Sequence, residues 1–260
     1  MVPDDSMFVD LYGRFERDPD IDLGTLPDDV YSLFVSRSTA LRLTGWNGRG
    51  RSTRAWSPAS AGPADGPTAA GLVAWYQVTV PAGVDRRPLP VSACAAVAGD
   101  VLGRLGRFRA HGVHVLAPLH DHADALLDLA GELNWFTPRR HELVDVEVKL
   151  RVPTTDGLTP DRLSDVQTVF ASRNVESFAL TLDRVEVDAK PRQETAPRDA
   201  MWWQGHGLAS AVFAGRVPGD DLDAMSWLAA QVLDCTWRVG IRQTTSVEVF
   251  TAPADRHRTW

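Results

Sequence analysis

Cysteine and lysine are nearly absent from this 260-residue chain. Its two cysteines, Cys94 and Cys235, are too few for a disulfide framework or a cysteine-only zinc site. Lysine occurs only as Lys149 and Lys190 among 27 basic residues, which we read as the coding bias of a GC-rich genome. No run of about 18 apolar residues is present, so no membrane span is expected. The opening MVPDDSMFVD is acidic where a signal peptide is basic and then apolar, and a cytoplasmic protein is expected. The chain also lacks a P-loop, a dinucleotide glycine fingerprint, Gly-x-Ser-x-Gly and His-Glu-x-x-His, so nucleotide-driven and serine-hydrolase chemistry find no support and the cofactor is left unknown.

Charge is present but unevenly spread. The net charge is -7, with nine acids and two arginines in residues 1–30, then five arginines and no acid in residues 31–64. An acidic protein is a poor general binder of nucleic acid. The exception is the stretch 45–70, rich in Gly, Ser, Pro and Ala, which reads as a long loop. It carries Arg49, Arg51 and Arg54 between Trp46 and Trp56, a composition that can clamp a phosphate or stack on a base.

The clearest structural signal is alternation. Val144, Val146, Val148, Leu150 and Val152 alternate with Asp145, Glu147, Lys149 and Arg151, the mark of a strand with one dry and one wet face. Thr159-Pro160-Asp161 then opens a helix with a capping side chain, a first-position proline and an early carboxylate. A second strand follows through Phe178, Leu180 and Leu182. The same plan of strand, Val-Pro, turn, helix and strand recurs at 72–119 and 205–250. A shortened copy is expected at the N-terminus, with its return strand at Thr39–Thr44. In the second copy, Ser92 is the expected cap of a helix to about Ala110, stopped by His111-Gly112. In the last, Asp220 is the expected cap. Alternating strands argue against a doubly wound parallel sheet. The expected fold is α+β, with two ferredoxin-like halves at 1–137 and 138–260.

Three clusters of chemistry-bearing residues stand out. His111, His114, His120 and His122 lie close in sequence, with Asp121 and Asp124 among them. His114, His120, His122 and Asp124 form a weak candidate metal set, imidazoles in extended chain being able to share a face. His120 to Asp124 resembles the start of the metallo-β-lactamase HxHxDH motif, but Ala125 stands in place of its last histidine and the assignment is not made. Cys94 lies near a helix start, where a thiol can be activated, although its small neighbours favour a buried structural role. Trp202-Trp203-Gln204-Gly205-His206-Gly207 is compact and aromatic. His206 is the candidate acid or base, with Trp75, Trp202 and Trp203 as candidate substrate-binding walls. Arg151-Val152-Pro153 with Thr154-Thr155-Asp156-Gly157 resembles the strand-turn-helix of an ACT amino-acid-sensing domain over about thirty residues. A turn of this kind before a helix N-terminus is suited to an anionic ligand.

These features point to an enzyme or enzyme-like protein of bacterial specialised metabolism, holding a small molecule and working by acid-base chemistry without a nucleotide. The alternatives are a non-catalytic interaction, assembly or defence accessory protein with a protein partner, and an RNA-binding protein using the arginine loop.

Overall fold

The structure is a computed structural model that describes residues 6–21, 29–41, 43, 56–63, 71–80, 89–119, 143–154, 159–173, 178–187 and 207–252. Within these residues the fold is α+β, with four helices and one eight-stranded antiparallel sheet. The elements in chain order are β1 (Ser6–Arg17), α1 (Val30–Ala40), β2 (Ser57–Pro63), β3 (Leu72–Thr79), α2 (Val91–Leu105) and β4 (Gly106–Pro118). Then follow β5 (Val144–Pro153), α3 (Pro160–Ser172), β6 (Ala179–Val187), β7 (Leu208–Val217), α4 (Leu222–Arg238) and β8 (Thr244–Thr251).

The sheet order is β2-β3-β1-β4-β8-β5-β7-β6. Each set of four strands therefore places its first strand between its third and fourth, with its second at the outer edge. The element order in each set is strand-helix-strand-strand-helix-strand, which is the ferredoxin-like order. The two sets meet where β4 pairs with β8, from Gly112 opposite Phe250 to Pro118 opposite Thr244. One hydrophobic core crosses this junction, from Val9 and Leu11 through Val113, Val115, Val247 and Val249 to Val148, Leu150, Ala211 and Phe213. All four helices pack into it, through residues such as Phe34, Val101, Val166 and Leu228.

Local chemistry explains most of the elements. Thr159 caps α3 by accepting from the Arg162 amide, with proline in the first turn and Asp161 beside the helix dipole. Asp29 caps α1 by accepting from the Ser32 amide, which holds its carboxyl below the ordinary value. Asp221, not Asp220, caps α4, accepting from the Ala224 amide.

Four expectations are corrected. The N-terminal return strand is Ser57–Pro63, while Thr39 and Ala40 end α1. That strand lies inside the stretch read as a loop, and prolines with small residues are tolerated there because it is an edge strand. Helix α2 begins at Val91 after Pro90, with no side-chain cap from Ser92, and ends at Leu105. Residues Gly106 to Gly112 belong to β4, so Arg107, Arg109 and His111 pair with β1 or lie in its ladder instead of ending a helix. The alternation of Val239, Ile241, Val247 and Val249 predicts one long final strand, but Val239 is the C-cap of α4 and the strand starts at Thr244.

Gly112 is fixed by close packing. A methyl group there would sit 2.3 Å from Phe250 Cδ1, because the Phe250 ring lies over the glycine and meets Tyr12 edge-on at 5.0 Å. Gly112→Ala is expected to lower unfolding stability by about 1–3 kcal/mol through overpacking at the β4–β8 junction. Denaturant titration will show this as a lower midpoint with an unchanged slope.

Candidate functional site

The four helices occupy one face of the sheet. The other face carries a second cluster that includes Phe8, Leu116 and Leu208 and, among the described residues, no helix residue. Strand pleating assigns this face to the alternate residues of each strand. It was read from β5 as the wet face, yet Arg151 is buried and Glu147 and Lys149 are half-buried.

Strand register sorts the side chains of this face into rows. One row runs Trp75, Asp10, His114, Glu248, Lys149. The adjacent row runs Phe8, Leu116, Ser246, Arg151, Ser210. Asp10, His114, Arg151, Ser210 and Ser246 are all at most 4% exposed. Buried groups of this kind require partners. His114 Nδ1 lies 3.1 Å from Asp10 Oδ2, and His114 Nε2 lies 2.8 Å from Ser246 Oγ. Arg151 Nη1 donates to Glu248 Oε1. Both the His114–Ser246 and the Arg151–Glu248 contacts are diagonal, each reaching a residue two positions from its direct cross-strand partner.

The resulting line of acid, imidazole and hydroxyl has a definite proton logic. A carboxylate accepts only, so Asp10 holds a proton on His114 Nδ1. With the proton placed there, Nε2 accepts from the Ser246 hydroxyl, an assignment that rests on the hydrogen-bond pattern. This is the relation by which a histidine takes a proton from a hydroxyl in acid-base catalysis.

The candidate residues fall as follows. Trp75 lies in β3 opposite Asp10, half-buried, with its indole over Gly62, where a Cβ would be 3.1 Å from the ring nitrogen. Of the two described members of the histidine cluster, His111 and His114, it is His114 that enters this array. Its two ring nitrogens face Asp10 and Ser246, which leaves neither for a metal. No group of three or more metal-ligating side chains occurs among the described residues. His120, His122, Asp124, Trp202, Trp203 and His206 lie outside the described residues. Trp56 is buried against Phe34, at 5.8 Å between ring centres, so it is a core residue and not an exposed stacking ring. Arg49, Arg51 and Arg54 lie outside the described residues.

Cys94 is fully buried and burial pushes its thiol well above the ordinary value. Burial likewise raises Cys235, to about 11, against the lowering influence of Arg173 and Arg238. Burial therefore favours the neutral thiol at both positions, in keeping with a structural role.

Asp10 and Ser246 were not singled out from sequence. They stand 104 and 132 residues from His114, so no local spacing reveals them.

No protein-family model matches the chain, and no curated protein matches it. Among solved structures it is similar to a Cas6 product complex, at 10% identity and a TM-score of 0.19. That alignment covers 92% of this chain and 93% of the other. No described helix is long and apolar enough to cross a membrane.

The Arg151–Glu248 pair supplies a stability test. Arg151→Met leaves the half-buried Glu248 carboxylate without its cation and is expected to cost about 3 kcal/mol. The double variant Arg151→Met with Glu248→Leu removes both charges and is expected to recover most of that loss. Denaturant melts of both variants check the sign and size of the coupling.

Proposed function

We propose that the protein binds a small organic molecule on the face of its sheet opposite the four described helices and moves a proton there through His114. The observation that carries this reading is the buried line Asp10–His114–Ser246, with donor-acceptor distances of 3.1 and 2.8 Å. Asp10 fixes the tautomer and offsets charge on the ring, and His114 is the acid-base group. Ser246 is the hydroxyl through which the proton enters or leaves. Trp75, in the same row as Asp10 and His114, is the described member of an aromatic wall.

The reading places the acid-base role at His114. Trp202, Trp203 and His206 stay in it as candidate lining, because their segment enters β7 at Gly207, whose carbonyl accepts from the Thr154 amide at 2.7 Å. Ser210 of the buried row lies three residues further on. No nucleotide is required by these groups. Residues 1–137 and 138–260 are taken as the two halves that share the site.

The test is native mass spectrometry of the purified protein after incubation with a metabolite extract, followed by turnover of whatever is retained. Wild type is expected to retain a small molecule and convert it. His114→Gln keeps a polar ring-sized side chain but cannot carry the proton, and is expected to retain the molecule while losing conversion by about 100-fold or more. Retention without conversion in wild type, or conversion unchanged in His114→Gln, contradicts the acid-base role. If wild type retains no small molecule, the chain is better read as an interaction protein.

A further inference from the structure

Ser210 is the one side chain of the buried rows whose place in the fold lacks a reason. It is fully buried in β7, and its Oγ has no hydrogen-bond partner. A buried hydroxyl in that state weakens the fold, and alanine would fit the same position without the cost. Its direct cross-strand neighbour is Arg151, and the next residue in the row is Ser246. Arg151 is 4% exposed and gives Nη1 to Glu248, while a guanidinium has five N–H donors. The row Ser246–Arg151–Ser210 therefore sets a cation between two hydroxyls on three adjacent strands, with Ser246 on the side of His114 and Asp10 and Ser210 on the far side.

We infer that Arg151 and Ser210 form a carboxylate-binding subsite, which holds the substrate's anionic end two to three strands, about 10–15 Å, from the reacting group at His114. This rests on the proposed role of the sheet face opposite the described helices and adds the substrate class. The charge balance favours a carboxylate over a phosphate. Arg151 and Lys149, two residues apart on β5, flank Glu248 across the β5–β8 ladder, so the three side chains sum to one positive charge and match a single negative charge better than a dianion. The guanidinium fork matches the planar carboxylate. Ser210 Oγ–H supplies a further donor, and its unpaired state in the ligand-free chain becomes a hydrogen bond in the complex. Exclusion of water from this row strengthens each of these bonds.

Thermal melts of the full chain in sodium acetate, sodium phosphate and sodium chloride at equal ionic strength test the subsite. Acetate is expected to raise the melting temperature of wild type saturably above the chloride control, and to do so more than phosphate. Ser210→Ala is expected to melt at or above wild type in chloride, because it removes an unpaired buried hydroxyl. Its apparent affinity for acetate should fall about tenfold, the scale of one lost hydrogen bond to a charged group. Arg151→Lys tests the fork and is expected to weaken acetate similarly. Ser210→Ala is the decisive variant, since it leaves the Arg151–Glu248 pair intact. An unchanged acetate response in Ser210→Ala, no acetate response in wild type, or a larger response to phosphate overturns the carboxylate subsite. His114→Gln separates this from the proton-transfer reading. If it keeps the wild-type acetate response while conversion is lost, both stand. If acetate binds and conversion never depended on His114, the subsite stands and the proton-transfer reading falls.

Discussion

The antiparallel ladder between β4 and β8 is the contact on which the rest of the molecule depends. It makes two four-stranded sets into one sheet and one core. Its register also decides which side chains face one another. His114 meets Ser246 only because Gly112 stands opposite Phe250 and Pro118 opposite Thr244, while the β5–β8 ladder on the other side of β8 sets Arg151 against Glu248. A slip of one residue would turn every side chain of β8 to the other face and put Ser246 and Glu248 among the helices. Such a slip would bury charge in hydrocarbon on one side and expose Val247 and Val249 on the other. The polar pairs and the apolar core therefore enforce the same register from opposite faces of the sheet.

The two faces divide the work between stability and chemistry. The helix-bearing face is apolar and closely packed, and its cysteines and Tyr76 are held neutral by burial. The other face is buried as well but keeps ionisable groups, each held by a specific partner. Leaving one partner unpaired there is costly, which makes this face rigid and selective in what it admits. A second buried ionic group, Arg173 with Asp234 and Gln231, ties the end of α3 to α4, and burial lowers the Arg173 value. It lies between two helices and serves to join them.

Much of the architecture was legible in the sequence. The alternation of Val144 to Val152, the Thr159-Pro160-Asp161 start and the stripe through Leu163, Val166 and Phe170 are local signals, and local signals survive into the fold. The misreadings have physical reasons. Ser57–Pro63 has no β-branched residue and two prolines, so its strand state comes from pairing with β3 and not from propensity. The arginines after Leu105 suit a helix C-terminus, but pairing with β1 outweighs the dipole and draws them into β4. The candidate site was scarcely legible. His114 drew notice for its sequence neighbours, while its bonded partners come from the first and last strands, at Asp10 and Ser246. Lys149 and Arg151 read as solvated charges because period-two alternation reports polarity and not what covers it.

The proposed chemistry of the sheet face turns on the proton held by His114. The direct measurement is long-range 1H–15N correlation spectroscopy of histidine-labelled protein, followed across pH and assigned with His114→Gln. Throughout the folded range the account predicts a proton fixed on Nδ1, facing Asp10, with protonation and deprotonation confined to Nε2, facing Ser246. A ring that carries its proton on Nε2 and leaves Nδ1 bare would contradict it.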